Sequence, residues 1–167
     1  MVIINVQKWE LSIIFPIKGK KIWLKGEYIV RFAGEYERTL DSKNRIVLPP
    51  KIRNCFEDNT FVICCFPTEN FIRVYRVSDW EELTDKYLFV DDGVDRTDLQ
   101  RYIFRNTEYC ELDAQNRFGI SSKFIERTGI ERDIMIAGIG RRAEIWAKDK
   151  YQHKLDEKMD DKMSTPF

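Results

Sequence analysis

The length, composition and charge of the chain exclude several classes of protein. Its 167 residues suffice for one ordinary domain or two very small ones, and 43% hydrophobic with 34% charged residues is typical of a folded globular chain. Lys and Arg together number 28, as do Asp and Glu, so any nucleic-acid site must come from local placement of basic side chains. No apolar run approaches the roughly 18 residues that a membrane span requires.

The first 29 residues can be interpreted in two ways. The run LSIIF, from Leu11 to Phe15, has the residue types of a genuine extra strand. Alternatively, KGEYIV from Lys25 to Val30 is what a purine-rich ribosome-binding site followed by a GTG codon at Val30 would encode. On that second hypothesis, residues 1–29 are an N-terminal extension upstream of the native start.

A repeat follows, and it is the most informative feature of the sequence. The stretch TLDSKNRIVLPPKI begins at Thr39, and 72 residues later ELDAQNRFGISSKF begins at Glu111. Identical residues recur in fixed order: Leu40, Asp41, Asn44, Arg45 and Lys51 return as Leu112, Asp113, Asn116, Arg117 and Lys123. Because the repeat preserves an acid, an amide and a base as well as apolar residues, it indicates a shared function and not only a shared core.

Each copy predicts the same succession of elements: a strand, a turn, a short strand, a short helix and two further strands. The two prolines of LPPKI suit the first turn of the helix in the first copy. Ser121 and Ser122 offer an N-cap at the equivalent place in the second copy, and Gly129 suits the end of that helix. We assign residues 35–82 to the first copy and 107–150 to the second.

Between the copies, residues 83–106 predict a helical spacer, and residues 151–167 form a charged C-terminal tail. SDWE from Ser78 and TDLQ from Thr97 match the capping box that begins many helices. Two units this small would be marginal alone, so we expect them to fold against each other as an internal pseudo-dimer. The aromatic residues of this region then cover the joint core or face another subunit, and both alternatives stay open: Trp80, Tyr87, Phe89, Tyr102 and Phe104.

The repeated D-x-x-x-R turn can be understood from its residue types. An Asp at the head of a turn, here Asp41 or Asp113, accepts hydrogen bonds from the backbone amides that follow and closes the loop. Asn44 and Asn116 precede the arginines, and Asn tolerates a positive φ better than any other residue except Gly. We therefore interpret these four residues as organising the two turns.

The arginine that ends each turn has two orientations open to it. It can fold back onto the Asp as a self-contained ion pair, or stand out from the loop, where its planar fork can bind guanine or clamp a phosphate. A surface ion pair contributes only about 0–1 kcal/mol, which is a weak reason to repeat it. The predicted DNA-binding residues are these arginines and the nearby lysines: Arg45, Lys43, Lys51, Arg117 and Lys123. Because Gln115 replaces Lys43 in the second copy, we expect weaker phosphate binding there.

The sequence offers little to a metal ion or to an enzyme. None of the four cysteines belongs to a C-x-x-C pair and no histidine lies near them, so buried free thiols in a reducing cytosol explain them better than zinc does: Cys55, Cys64, Cys65 and Cys110. The single histidine, His153, lies in the charged C-terminal segment. We therefore expect no cofactor, no small-molecule substrate and no catalytic activity.

Taken together, these motifs resemble those of the MraZ family of bacterial transcription regulators. The resemblance rests on GEYERTLDSKNRIVLPPKIR, ELDAQNR and EIWAKDKY, and covers about Val30 to Tyr151. It implies an α+β, mostly β fold, in which two tandem SpoVT/AbrB-type swapped-hairpin units form a pseudo-dimeric β-barrel and assemble into a ring-like homo-oligomer. It also implies sequence-specific binding of double-stranded DNA, at short direct repeats upstream of the division and cell-wall gene cluster, by a cytoplasmic protein associated with the nucleoid.

Two other functions remain as alternatives. An AbrB-type antitoxin would silence a toxin and its operon, although such proteins usually carry one repeat and an exposed toxin-binding tail. An oligomeric scaffold that never touches DNA would leave Arg45 and Arg117 paired with carboxylates.

Overall fold

A computed structural model of the chain describes residues 12–17, 20–25 and 31–159, with side chains from 31 to 156. The chain divides into two units, Met1–Val30 and Arg31–Phe167, each of which is described by itself. In the first, β1 (Ser12–Ile17) and β2 (Lys20–Lys25) form an antiparallel hairpin. β1 contains most of the run LSIIF, whereas the expected start at Val30 and the tail residues 160–167 lie outside the described residues.

The second unit follows the order of elements that each repeat predicts. Its first copy contains β3 (Phe32–Thr39), β4 (Arg45–Val47), α1 (Pro50–Arg53), β5 (Thr60–Cys64) and β6 (Phe71–Tyr75). Two helices follow, α2 (Val77–Leu88), which spans the expected boundary at residue 82, and α3 (Thr97–Phe104). The second copy contains β7 (Thr107–Glu111), β8 (Arg117–Gly119), α4 (Ser122–Thr128), β9 (Asp133–Gly140) and β10 (Ala143–Ala147), and α5 (Lys148–Met159) comes last. The mostly β, α+β class is confirmed.

Six strands form one antiparallel sheet in the order β3-β9-β10-β6-β5-β7. The copies exchange strands, because β3 of the first pairs with β9 of the second, and β7 of the second pairs with β5 of the first. The order is symmetric about the β10–β6 pair, as an internal pseudo-dimer requires. The expected closed barrel is wrong for the described residues. The strands β3 and β7 do not pair with each other and remain the two edges of this sheet.

The short strands β4 and β8 form a separate antiparallel ribbon, with Ile46 opposite Phe118 at its centre. The amide after each strand donates to the carbonyl of the Asn that precedes the other strand, at 3.1 and 2.9 Å. The inward side of the ribbon packs with α1 and α4 on one face of the sheet, where Phe118 meets Phe61 edge-on with 4.8 Å between ring centroids. Because this core draws apolar side chains from both copies, neither copy has a core of its own.

The ends of the helices agree with the sequence only in part. Pro50 occupies the first turn of α1, and Gly129 ends α4 in the left-handed conformation with a φ of 65°, as predicted. Both predicted capping boxes are wrong, since neither helix has a side-chain cap and Ser78 and Thr97 lie inside α2 and α3. The hydroxyl of Ser78 donates instead to Glu57 at 2.8 Å.

Helices α2 and α3 pack on the opposite face of the sheet. Trp80 is buried there against Tyr75, with 5.6 Å between ring centroids. The other four aromatics are 38–56% exposed, so Trp80 covers the core, whereas a contact of the rest with another subunit stays a prediction. We call this exposed apolar surface the spacer face; it comprises Leu83, Tyr87, Phe89, Val90, Val94, Leu99, Tyr102 and Phe104.

Candidate nucleic-acid interface

Each D-x-x-x-R turn is closed by its Asp. In the first turn, Asp41 Oδ1 accepts the amides of Lys43 at 2.8 Å and Arg45 at 2.9 Å, and Asp41 O accepts the amide of Asn44 at 3.0 Å. Asn44 has a φ of 55°, in the left-handed region that an amide side chain tolerates. The second turn repeats the three bonds at 2.8–2.9 Å, and Asn116 has a φ of 59°.

Both arginines fold back onto the carboxylate of their own turn. Arg45 donates to Asp41 Oδ2 from Nε at 2.8 Å and from Nη2 at 2.7 Å, and Arg117 donates to Asp113 at 2.9 and 2.8 Å. The side-chain hydrogen bond from Arg45 lowers the pKa of Asp41 from its usual 3.8 to about 2, and Arg117 lowers the pKa of Asp113 for the same reason. This is the orientation that the scaffold alternative expects, although the donors that remain on each guanidinium are still available to a ligand.

The two guanidinium groups differ in how many N–H donors remain available to a ligand. A guanidinium has five N–H donors, and Asp41 accepts one each from Nε and Nη2 of Arg45. In the second turn Gln115 Oε1 also accepts from Arg117 Nη2, at 2.8 Å, so both hydrogens of that nitrogen are engaged. Within the described residues, Arg45 therefore keeps a fork of Nη1 and Nη2 hydrogens, and Arg117 keeps only Nη1.

The ribbon places both arginines on one outward surface. Side chains alternate across a strand, and the central apolar pair of the ribbon faces the core with 1% and 4% exposure. Arg45 therefore faces outward opposite Gly119, and Val47 faces outward opposite Arg117. We call these four residues the ribbon face. Val47 and Gly119 were not predicted as site residues from the sequence. Each lies two residues after its arginine, in RIV and RFG, and this spacing alone indicates that it shares a strand face with that arginine.

The three predicted lysines occupy different places around the ribbon face. Lys43 is exposed in the first turn, and Lys51 is exposed on α1, which follows β4. Lys123 lies at the equivalent place on α4, but its Nζ donates to the carbonyl of Arg105 at the end of α3. Lys43 and Lys51 thus present their charge to solvent, whereas Lys123 joins α4 to the spacer.

The thiols elsewhere in the chain are not reactive. All four cysteines are free, and burial raises the pKa of Cys64 and Cys110 to about 12 and also raises the pKa of Cys55 and Cys65. They therefore remain protonated at neutral pH. Across the part of the chain that the structure describes, no three His, Cys, Asp or Glu side chains group as metal ligands, and no helix is both long and apolar enough to cross a bilayer.

Comparison with known proteins bears directly on the two copies. The family model described as "MraZ protein, putative antitoxin-like" matches twice, at residues 31–99 and 103–166. The chain belongs to the MraZ family. The two MraZ matches each contain one D-x-x-x-R turn, in agreement with the repeat seen in the sequence and in the strand order.

Three MraZ relatives illustrate the similarity. The chain is 35% identical over 130 residues to the transcriptional regulator MraZ of Clostridium beijerinckii, covering 77% of this chain and 90% of that protein. It is 34% identical over 125 residues to that of Mycoplasma capricolum, with 74% and 93% covered. The transcriptional regulator MraZ of Natranaerobius thermophilus is 30% identical over 123 residues, with 73% and 85% covered. The relatives are therefore matched over most of their length.

The first turn of this MraZ-family chain should respond to acid. The pKa of Asp41 is depressed in the folded state, so its contribution to stability is present above the unfolded value of 3.8 and is lost as the pH falls through about 2. Melting temperature should therefore fall more steeply between about pH 4 and pH 2 in the wild type than in Asp41→Asn, which cannot titrate. Equal slopes for the two proteins would show that the carboxylate does not hold the turn.

The positive φ of Asn44 should also be measurable. Asn44→Ala should destabilise the fold by about 1–2 kcal/mol, because an ordinary L-residue is sterically disfavoured in the left-handed region. Asn44→Gly is the matched control and should change stability by less, because Gly enters that region freely. Urea unfolding midpoints of the two variants give the comparison, and equal losses would contradict a conformational role.

Proposed function

We propose that this chain is a sequence-specific DNA-binding transcriptional regulator that binds short direct repeats upstream of the division and cell-wall gene cluster, its own promoter included. The ribbon face carries the proposal, because it directs two arginines, each held by an Asp of its own turn, outward from one two-stranded ribbon. Membership of a family whose relatives are named transcriptional regulators supports the regulatory role.

The ribbon has a size and chemistry suited to the major groove. That groove is about 12 Å wide and admits a two-stranded ribbon. The Nη1 and Nη2 donors left to Arg45 match O6 and N7 of guanine, the commonest specific partner of an arginine. Because Asp41 already holds the guanidinium, little orientational freedom is lost on binding. Arg117, with only Nη1 available, is suited to a single contact with a base or a phosphate.

Phosphate contacts come from the lysines in this proposal. Lys43 is exposed in the first turn and Lys51 is exposed on α1, and each phosphate that they neutralise adds a salt-dependent contribution to affinity. Lys123 has to release the carbonyl of Arg105 before it can do the same. Local placement of these residues explains how a chain with a net charge of zero attracts DNA.

Assembly completes the proposed mechanism. We place the exchanged strands of the two copies in swapped-hairpin units, and the subunits in a ring-like homo-oligomer that buries the spacer face. An apolar surface of this kind on one subunit is typical of an interaction site. Several ribbon faces bound to spaced repeats would raise affinity through effective concentration.

The assembled protein should have a mass several times the 20.0 kDa of one chain. Size-exclusion chromatography with light scattering gives this mass at micromolar concentration. Tyr87→Glu, on the spacer face, should shift the population towards 20.0 kDa, because it places a charge in the buried contact. Ile139→Glu is the control, since Ile139 is 48% exposed on β9. A wild-type protein that remains monomeric would contradict the ring.

Gel-shift binding to the DNA upstream of its own gene tests the function itself. The wild type should bind that duplex more tightly than a shuffled duplex of the same composition, and the preference should persist as salt weakens both complexes. Equal affinity for the two duplexes would contradict sequence-specific binding and would favour a non-specific DNA binder or a scaffold.

The description of the family model favours one second candidate, an AbrB-type antitoxin. A toxin encoded beside this gene, and bound by this chain, would support it.

For the leading function, we propose a cytoplasmic protein that is associated with the nucleoid. We assign its repeats to residues 35–82 and 107–150, the spacer to 83–106 and the charged tail to 151–167. Residues 1–29 are an extension outside the DNA-binding fold.

A further inference from the structure

An apolar side chain lies on the ribbon face, at the end of β4. Val47 is 46% exposed, directly opposite Arg117 and two residues along β4 from Arg45. Cβ atoms of directly opposed residues in an antiparallel pair are about 4.5–5.5 Å apart. Val47 therefore flanks Arg117 on the surface that a ligand of the ribbon would contact.

The equivalent position in the second copy has no side chain. Gly119 corresponds to Val47 in the repeat, and its backbone does not require glycine, because its φ lies outside the left-handed region. A Cβ added at Gly119 would meet Arg45 Cγ at 3.8 Å, an ordinary van der Waals contact. The ribbon face therefore has an arginine on each strand but an apolar side chain on only one, without a backbone reason for the difference.

We infer that Val47 contacts the 5-methyl group of a thymine and thereby strengthens the preference of the ribbon for one direction on DNA. The inference rests on the proposed function, since it concerns the same surface. The thymine methyl is the apolar feature of the major groove, beside the acceptors that arginine reads. The unequal donors of Arg45 and Arg117 already distinguish the two directions, and one methyl contact on one side adds to the preference for one of them. A directional contact suits direct repeats, in which every unit points the same way.

The test uses the full-length protein and a duplex that it selects from a randomised library. Each thymine of that duplex is replaced in turn by uracil, which lacks only the 5-methyl group. One replacement should weaken wild-type binding about fourfold, as expected when one methyl group is no longer buried. The same replacement should leave the affinity of Val47→Ala unchanged. Ile139→Ala, a control at an apolar residue that is 48% exposed on β9 and outside both the ribbon face and the spacer face, should keep the full uracil effect.

A second variant tests the direction. Gly119→Val restores the apolar group on the other side of the ribbon. It should bind a duplex carrying the thymine at both symmetry-related positions about fourfold more tightly than the wild type does. Gly119→Ala, which lacks the methyl groups of valine, is the control and should gain less.

The possible failures are distinguishable. If the wild type selects a sequence but tolerates every uracil replacement, or if Val47→Ala remains as sensitive as the wild type, the inference is wrong and the proposed function stands. If the wild type selects no sequence at all, the proposed function fails and the inference with it.

Discussion

Replacing Arg45 with Ala should abolish sequence-specific DNA binding. Arg45 keeps the free two-nitrogen fork, and losing one bidentate contact with guanine costs about 1–3 kcal/mol per engaged subunit. In an oligomer bound to several repeats these losses accumulate, because each contact raises the effective concentration of the next. Arg117→Ala should be milder, since Gln115 already engages its second guanidinium nitrogen. Operator affinity of the two variants, measured at one salt concentration, gives the comparison.

Two further measurements separate base recognition from charge and from stability. Lys43→Ala should weaken binding to all DNA alike and reduce the slope of log affinity against log salt by about one unit for each phosphate that is no longer neutralised. Arg45→Ala should barely change the melting temperature, because an exposed ion pair contributes about 0–1 kcal/mol. If Arg45→Ala melts earlier but binds the upstream repeats as well as the wild type, Arg45 serves the turn alone and the scaffold hypothesis gains.

Replacing Phe118 with Ala should destabilise both copies at once. Phe118 is 4% exposed, lies opposite Ile46 at the centre of the ribbon and packs edge-on against Phe61. Truncating a buried Phe costs about 3–5 kcal/mol, which is a large share of the roughly 5–15 kcal/mol that a domain has. We therefore expect a fall in melting temperature of about 10–20 °C. DNA binding should weaken in parallel, because the ribbon positions both arginines.

Tyr109→Ala is the matched control for this loss. Tyr109 is a similar aromatic residue on β7, but it is 61% exposed, so its truncation should change the melting temperature by only a few degrees. Circular dichroism at increasing temperature follows both variants. Equal effects of the two substitutions would mean that the buried ring of Phe118 does not stabilise the core that the copies share.

Local structure was predictable wherever a single residue type decides it. The left-handed Asn44 and Asn116, the proline in the first turn of α1 and the terminal Gly129 all agree with expectations from the sequence. Each follows from steric limits on one residue, which hold in any context. The capping boxes failed because the helix of each begins at or before the Ser or Thr, so that residue could not act as the N-cap.

Non-local structure was less accessible. Periodicity indicates a strand but not its partner, so the pairing of β3 with β9 and the open edges of the sheet did not follow from it. The sequence likewise left two orientations open for Arg45, and the structure selects the one bonded to Asp41. Arg117 has fewer available N–H donors than Arg45 because the Gln115 side chain accepts one of them, and the motif alone does not specify the position of that side chain.

The exchange of strands also has a consequence for synthesis. During translation the first copy emerges from the ribosome before the second has been synthesised. At roughly 5–20 residues per second, β9 emerges roughly 5–20 s after β3, the strand with which it pairs. Throughout that interval the edge of β3 lacks β9, and for part of it the apolar strand β5 lacks β7. Neighbouring nascent chains on one message offer the same strands at high local concentration, so copies can pair between chains instead of within one. The fraction of correctly folded protein should therefore depend on how fast residues 83–106 are translated.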